Sequence, residues 1–143
     1  MGRGSRRRGR ENALQVLFQM DQATGVTWEP EAALTDYFAN FSHAEAVRAY
    51  TEELVRGVAT HRDELDHHIE ASGTRWRLVR MSAVDRSLLR LGVFELLHCR
   101  DVPRAAVINE AIEIARRFGS ETSPAFVNGI LDEIARGLSE QEG

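Results

Sequence analysis

Val84-Asp-Arg-Ser-Leu-Leu-Arg-Leu-Gly-Val-Phe-Glu-Leu-Leu97 puts leucine, valine or phenylalanine on nearly every side of a 3.6-residue helix, with Arg86, Arg90 and Glu95 as its main polar interruptions. A helix that is apolar almost all round sits at the centre of its fold. This segment is therefore the expected hub of a helical bundle. Ser82 stands before it as an N-cap, and Asp85 falls in the first turn, where a carboxylate meets the positive end of the helix dipole.

The helical reading extends outward in both directions. Downstream, Asp101-Val-Pro103 opens a fifth helix with Ala106, Val107, Ala111, Ile112, Ala115 and Phe118 on its stripe, closed by Gly119. Ser123-Pro124 opens a sixth, striped by Val127, Ile130, Leu131, Ile134 and Leu138, after which an acidic tail is expected to fray. Upstream, Trp76 and Leu78 lie in a short connection. A long third helix carries Val47, Tyr50, Leu54, Val58, His61, Leu65 and Ile69 on one face and ends at Gly73. Ser42-His-Ala-Glu45 reads as its capping box, with Phe41 and Ala46 as a hydrophobic staple. Pro30 suits the first turn of a short second helix bearing Leu34, Tyr37, Phe38 and Phe41. Ser5 caps the first helix, in which Ala13, Leu14, Leu17 and Phe18 recur at helical spacing before Gly25.

No stretch alternates as a half-buried strand would, so the fold class is all-α. The expected architecture is a helical bundle of about six or seven helices in two three-helix subdomains. Residues 1–10 form a basic N-terminal arm, 11–74 the first subdomain and 75–143 the second, together making one domain. At 143 residues, 43% hydrophobic and 28% charged, the chain can bury a core of its own. No apolar run reaches the ~20 residues of a membrane span. A lone cysteine, Cys99, excludes an intrachain disulfide framework. A cytoplasmic protein is expected.

Charge is distributed unevenly. The first ten residues carry five arginines and no acid, while the other 133 carry thirteen arginines against twenty-two acids, so a tip of +5 sits on a body of −9. All eighteen basic residues are arginine, a bias spread over the whole chain that base composition of the genome explains better than function. Arginines at a helix N-terminus oppose the macrodipole by about 0.3–1 kcal/mol each and repel one another. An anionic polymer relieves both costs, and a nucleic-acid backbone is the natural one. The competing reading is a disordered, solubilising leader.

Nothing in the sequence looks catalytic. It lacks a Gly-rich phosphate loop, a nucleophile elbow and a dinucleotide fingerprint. Among the histidines, His61 and His68 share a face and His67 points away, and no cysteine or suitably spaced carboxylate completes a zinc constellation. His98 and Cys99 are adjacent, so a helix directs them apart. No cofactor and no metal are expected, and the chemistry reads as recognition rather than an enzyme.

Three segments together resemble the NusB family. They are Arg6-Arg-Arg-Gly-Arg-Glu-Asn-Ala-Leu-Gln-Val-Leu-Phe18; Val84–Leu96 followed by Asp101-Val-Pro103 and Ile108-Asn-Glu-Ala-Ile-Glu-Ile-Ala115; and Phe126-Val-Asn-Gly-Ile-Leu-Asp132. Each alone is weak, but their order and separations match and span nearly the whole chain. The resemblance implies two three-helix subdomains and a transcription antitermination factor. Such a factor binds the boxA element of nascent ribosomal RNA leader transcripts, a single-stranded target. It does so jointly with NusE, a protein of the small ribosomal subunit, within an RNA polymerase antitermination complex.

Arg6, Arg7, Arg8 and Arg10 match the family's RNA-binding motif. As a mobile cluster they would offer phosphate contacts and stacking on unpaired bases, with Arg3 as a weak helper. Four to five contacts on single-stranded RNA imply a log-log salt slope of about −3 to −3.5. Phe126, with Ser123, lies on the RNA side in the family; a base-stacking role for Phe126 and a core role are both open. Phe18 and Asp85 align with the family's partner-facing positions, although Phe18 replaces the common tyrosine and Asp85 is one methylene shorter than the usual glutamate. Asn109 and Asn128 read as buried hydrogen-bonding residues, Glu95 and Arg90 as parts of a structural ion-pair or hydrogen-bond network, and Trp28 and Trp76 as packing residues at the subdomain links. The family includes monomers and homodimers, and no residue here decides between them. Two alternatives stand: the RNA-binding domain of a ribosomal RNA cytosine methyltransferase, whose catalytic domain would have to lie beyond these 143 residues, or a structural helical dimer module.

Overall fold

The computed structural model describes residues 3–23, 27–72 and 77–142, and Gly25, Gly73 and Trp76 lie outside them. Six α-helices follow in order: α1 Arg3–Gln22, α2 Pro30–Asn40, α3 Glu45–Ala71, α4 Ala83–His98, α5 Arg104–Phe118 and α6 Ser123–Glu142. A single 3-10 turn, Leu78–Arg80, precedes α4, and the described residues contain no strand. No described helix is long and apolar enough to cross a membrane. The all-α expectation holds.

Two compact units emerge, residues 1–60 and 61–143, with the division inside α3. That helix has 27 residues, so at 1.5 Å per residue it is about 40 Å long. It is long enough to contribute its opening turns to the first unit and its last turns to the second.

In the first unit, α1 buries Ala13, Leu14, Val16, Leu17 and Met20, α2 buries Leu34 and Tyr37, and α3 buries Val47, Tyr50, Leu54, Val55 and Val58. Full burial of such side chains is worth about 1.5–3 kcal/mol each before chain entropy is counted. Tyr37 ties the layers together by donating to Asn12 Oδ1 at 2.8 Å. Arg56 adds an exposed fork to Glu31, 2.8 Å through both Nε and Nη2. The Tyr50 side chain packs directly on Gly9, where a Cβ would stand 2.6 Å from Tyr50 Cδ2.

In the second unit, α4 behaves as the hub its sequence requires: every residue from Ser87 to Leu96 is buried. Ser82 caps it, accepting from the Asp85 N–H at 3.1 Å. Gly92 lets α6 close on α4, since a Cβ there would meet Leu131 Cδ1 at 2.8 Å. Arg90, 3% exposed, is clamped bidentately by Asp66 at 2.7 and 3.1 Å.

Four local expectations are corrected. The first helix begins at Arg3, with Ser5 inside it rather than capping it. At α3 the Ser42 capping box is unused. The helix starts at Glu45, and the Ala44 carbonyl takes its first bond, from Arg48 N–H at 3.0 Å. Residues 41–43 are claimed by aromatic packing instead, with Phe41 at 4.9 Å and His43 at 6.2 Å from the Tyr37 ring. Asn109 and Asn128 are exposed, because Val107, Glu110, Ala111 and Ile114 set the buried phase of α5, and Val127, Ile130 and Leu131 that of α6. The tail does not fray at Leu138. The final helix runs to Glu142, whose carboxylate bridges Arg100 and Arg104, while Arg104 also donates to Ser139 Oγ at 3.1 Å.

Candidate nucleic-acid interface

The arginine-rich segment is helical rather than a mobile arm, so its side chains are sorted by phase. No acid occupies the first turn of α1. Arg8 is exposed, and Arg6 and Arg7 are half-buried. Arg10 is 4% exposed, with its guanidinium carbon 5.8 Å from the centre of the Tyr50 ring. It shares the inner stripe with Leu14 and Leu17, at i, i+4 and i+7. Thr51 Oγ1 reinforces the seam, donating to Val47 O at 2.8 Å and standing 3.3 Å from Gly9 O. The basic motif therefore splits into residues facing solvent and one that anchors the helix carrying them.

Arg8 also bears electrostatically on Tyr37 in α2. Burial pushes the Tyr37 hydroxyl above its ordinary pKa, and the Arg8 charge draws it back. Phe18 is half-buried on α1 and shares a helical face with Arg7 and Glu11, eleven and seven residues earlier. It is not core, and its exposed part continues the surface that the arginines begin.

In the second unit, Phe126 is half-buried near the start of α6 and donates its N–H to Thr122 O at 3.2 Å. Ser123 is 1% exposed. Its Oγ accepts from Ser120 N–H at 2.9 Å and lies 3.1 Å from Ser120 Oγ, so the hydroxyl shapes the turn from inside. Gly119 is required there by close approach, not by a left-handed backbone: a Cβ would stand 2.6 Å from Ser123 Cβ and 2.8 Å from Ala115 O. Beside this turn an open groove of about 560 Å³ is lined by Ile112, Arg116, Gly119, Ser120, Glu121, Pro124, Ala125 and Asn128. Asn128 therefore belongs to a surface cleft beside the start of α6, whose Ser123 and Phe126 amides are already taken by Ser120 O and Thr122 O. Asp85 is 9% exposed at the head of α4, with Oδ1 buried and accepting no hydrogen bond. Trp28 is half-buried and lines a smaller pocket of about 230 Å³ with Met20, Ala32 and Ala33 among its neighbours.

One grouping escaped the sequence reading. Glu64 stands one turn after His61 on α3, and His98 at the end of α4 meets both, so a carboxylate does complete a histidine cluster. The His61–Glu64 spacing was visible in the sequence, but nothing local pointed to a ligand 34 residues further on.

The profile of the NusB family matches residues 7–136. The transcription antitermination protein NusB of Myxococcus xanthus is 48% identical over 139 residues, covering 96% of this chain and 99% of that protein. Among solved structures, T. maritima NusB superposes with a TM-score of 0.80 at 34% identity over 92% of this chain and 90% of its own. The complex of antitermination factors NusB and NusE with dsRNA gives a TM-score of 0.82 at 25% identity, over 95% and 99% of the two chains.

Proposed function

The chain belongs to the NusB family, and from that premise we propose that it is a transcription antitermination protein of the cytoplasm that binds boxA RNA together with NusE. It is an RNA-binding factor rather than an enzyme. The observation that carries this reading is the opening of α1: arginines crowd its first two turns, with no acid in the first, on a chain that is otherwise negative.

In this reading Arg6, Arg7 and Arg8 contact phosphates, and Arg10 holds α1 in place from inside. Three contacts on single-stranded RNA give a log-log salt slope of about −2, shallower than four or five would. Phe126, half-buried near the start of α6, stacks on a base, and Ser123 fixes the turn that presents it. Phe18 faces NusE from α1. Asp85 acts through its charge at the head of α4, which suits a basic ribosomal protein. The arginines read charge more than bases, so sequence preference requires both partners.

The test is fluorescence anisotropy of a boxA oligonucleotide against a scrambled control, with and without NusE, at about 150 mM salt, near physiological ionic strength. Preference for boxA that strengthens with NusE supports the proposal. Equal weak binding to both RNAs, unmoved by NusE, overturns it.

A further inference from the structure

His61, Glu64 and His98 form a cluster that RNA binding does not use. His98 Nε2 lies 2.7 Å from Glu64 Oε1, and His61 Nδ1 lies 3.5 Å from the same oxygen. The three donor atoms all fall within 4.8 Å of one another. Two imidazoles and a carboxylate are a donor set that zinc accepts, leaving a fourth tetrahedral position open. With bonds of about 2.0–2.2 Å, tetrahedral coordination puts neighbouring donors about 3.3 Å apart. The His61–Glu64 distance of 3.5 Å is near that value, the His98–Glu64 distance of 2.7 Å is shorter, and all pairs lie within 4.8 Å, so side-chain rotation would complete the geometry.

The surroundings favour such a site. The two imidazole rings stack at 4.0 Å and rest on Phe94, at 6.1 Å from His61 and 5.5 Å from His98. Phe94 is 6% exposed and forms a dry floor, whereas the three donors keep 37%, 48% and 31% of their side-chain surface. An ion can therefore enter from solvent and keep a water. His98 is the last residue of α4, where the helix dipole favours positive charge.

We propose that His61, Glu64 and His98 form a binding site for a divalent transition-metal ion of the zinc class, which clamps the C-terminal half of α3 to the end of α4. Imidazole and carboxylate together select zinc over magnesium, which prefers all-oxygen sites.

The experiment is calorimetric titration of the tag-free, chelator-stripped full chain with zinc chloride, alongside His98→Gln, Glu64→Gln and the control His67→Gln. The expected result is saturable uptake of about one zinc per chain in the parent and in His67→Gln. Even the loss of an outer-sphere partner costs 10–100-fold in metal affinity, so each ligand variant should lose at least ~10-fold. Zinc at a hundred times its Kd should raise the Tm of the parent by about 5–10 °C, and that of the ligand variants much less. Melting in chelator shows that the variants fold. Absence of saturable uptake, or equal affinity in parent, His98→Gln and Glu64→Gln, overturns the site.

Discussion

Arg8 and Arg10 stand two residues apart in one basic motif, yet one is exposed and the other buried, and alanine at each tests whether RNA contact divides the same way. Arg10 is 4% exposed, and its guanidinium lies 5.8 Å from the centre of the Tyr50 ring. Removing it loses a cation–π contact worth about 0.5–2 kcal/mol. It also deletes two buried methylenes, Cγ and Cδ, at about 0.8 kcal/mol each. Recovered side-chain entropy returns up to ~2 kcal/mol. The balance is about 2 kcal/mol, which lowers Tm by about 4–8 °C for a chain of this size. Arg8 is exposed and near the helix N-terminus, so its removal should change stability by less than about 0.5 kcal/mol, or raise it slightly as dipole repulsion is relieved. The RNA readout reverses. Arg8→Ala should make the log-log salt slope shallower by about 0.7, the share of one phosphate contact, and Arg10→Ala should leave the slope unchanged. Differential scanning calorimetry and anisotropy titrations from 50 to 200 mM salt measure both quantities, a range over which phosphate contacts dominate affinity. An Arg10→Ala protein with parental Tm and a shallower slope would refute the reasoning, because it would make Arg10 a phosphate ligand and its burial irrelevant.

Tyr37→Phe removes the bond to Asn12 Oδ1 and should cost about 1–2 kcal/mol in urea unfolding. Since burial raises the Tyr37 pKa above its unfolded value of about 10, the parent keeps full stability below pH 10 and loses it as pH climbs toward the folded value; the phenylalanine variant should lack that alkaline loss. Asp66→Ala removes the bidentate carboxylate from the buried Arg90 guanidinium and should cost about 1.5–3 kcal/mol, whereas Glu113→Ala, which breaks the exposed pair with Arg116, should cost no more than about 1. Gly92→Ala drives a Cβ to 2.8 Å from Leu131 Cδ1, so overpacking of about 1–3 kcal/mol should outweigh the helix-propensity gain, while Gly137→Ala, with open space around it, should stabilise α6 by about 0.5–1 kcal/mol in the same thermal melts.

What the sequence disclosed and what it hid divide by range of interaction. The hub α4 was legible because residues on all its sides are apolar, and Ser82, Pro30, Pro103 and Gly119 mark helix ends through chemistry local to each. Features resting on distant partners were not legible. The tail past Leu138 stays helical because Glu142 meets Arg100 and Arg104, some forty residues back. The Ser42 box fails because Tyr37 draws Phe41 and His43 into an aromatic cluster. His98 joins His61 and Glu64 only once α4 is in place.

Arg10 is the instructive intermediate, since its burial was within reach. Ala13, Leu14 and Leu17 set the inner phase of α1, and Arg10 continues that phase one turn earlier, while Arg8 lies about 200° away on the wheel. Charge argued for exposure and phase argued for burial. Phase prevails because a guanidinium can lie over an aromatic face with its stem packed against apolar neighbours, and Tyr50 on α3 supplies that face. The same reasoning applies to Arg6, four residues before Arg10, whose Nε is buried without a hydrogen-bond partner although the residue as a whole is half-exposed. That inward-leaning Nε is shielded from an arriving phosphate, so Arg6 stands between exposed Arg8 and buried Arg10. Within the basic motif, the strength of RNA contact should therefore follow helical phase and not position along the chain.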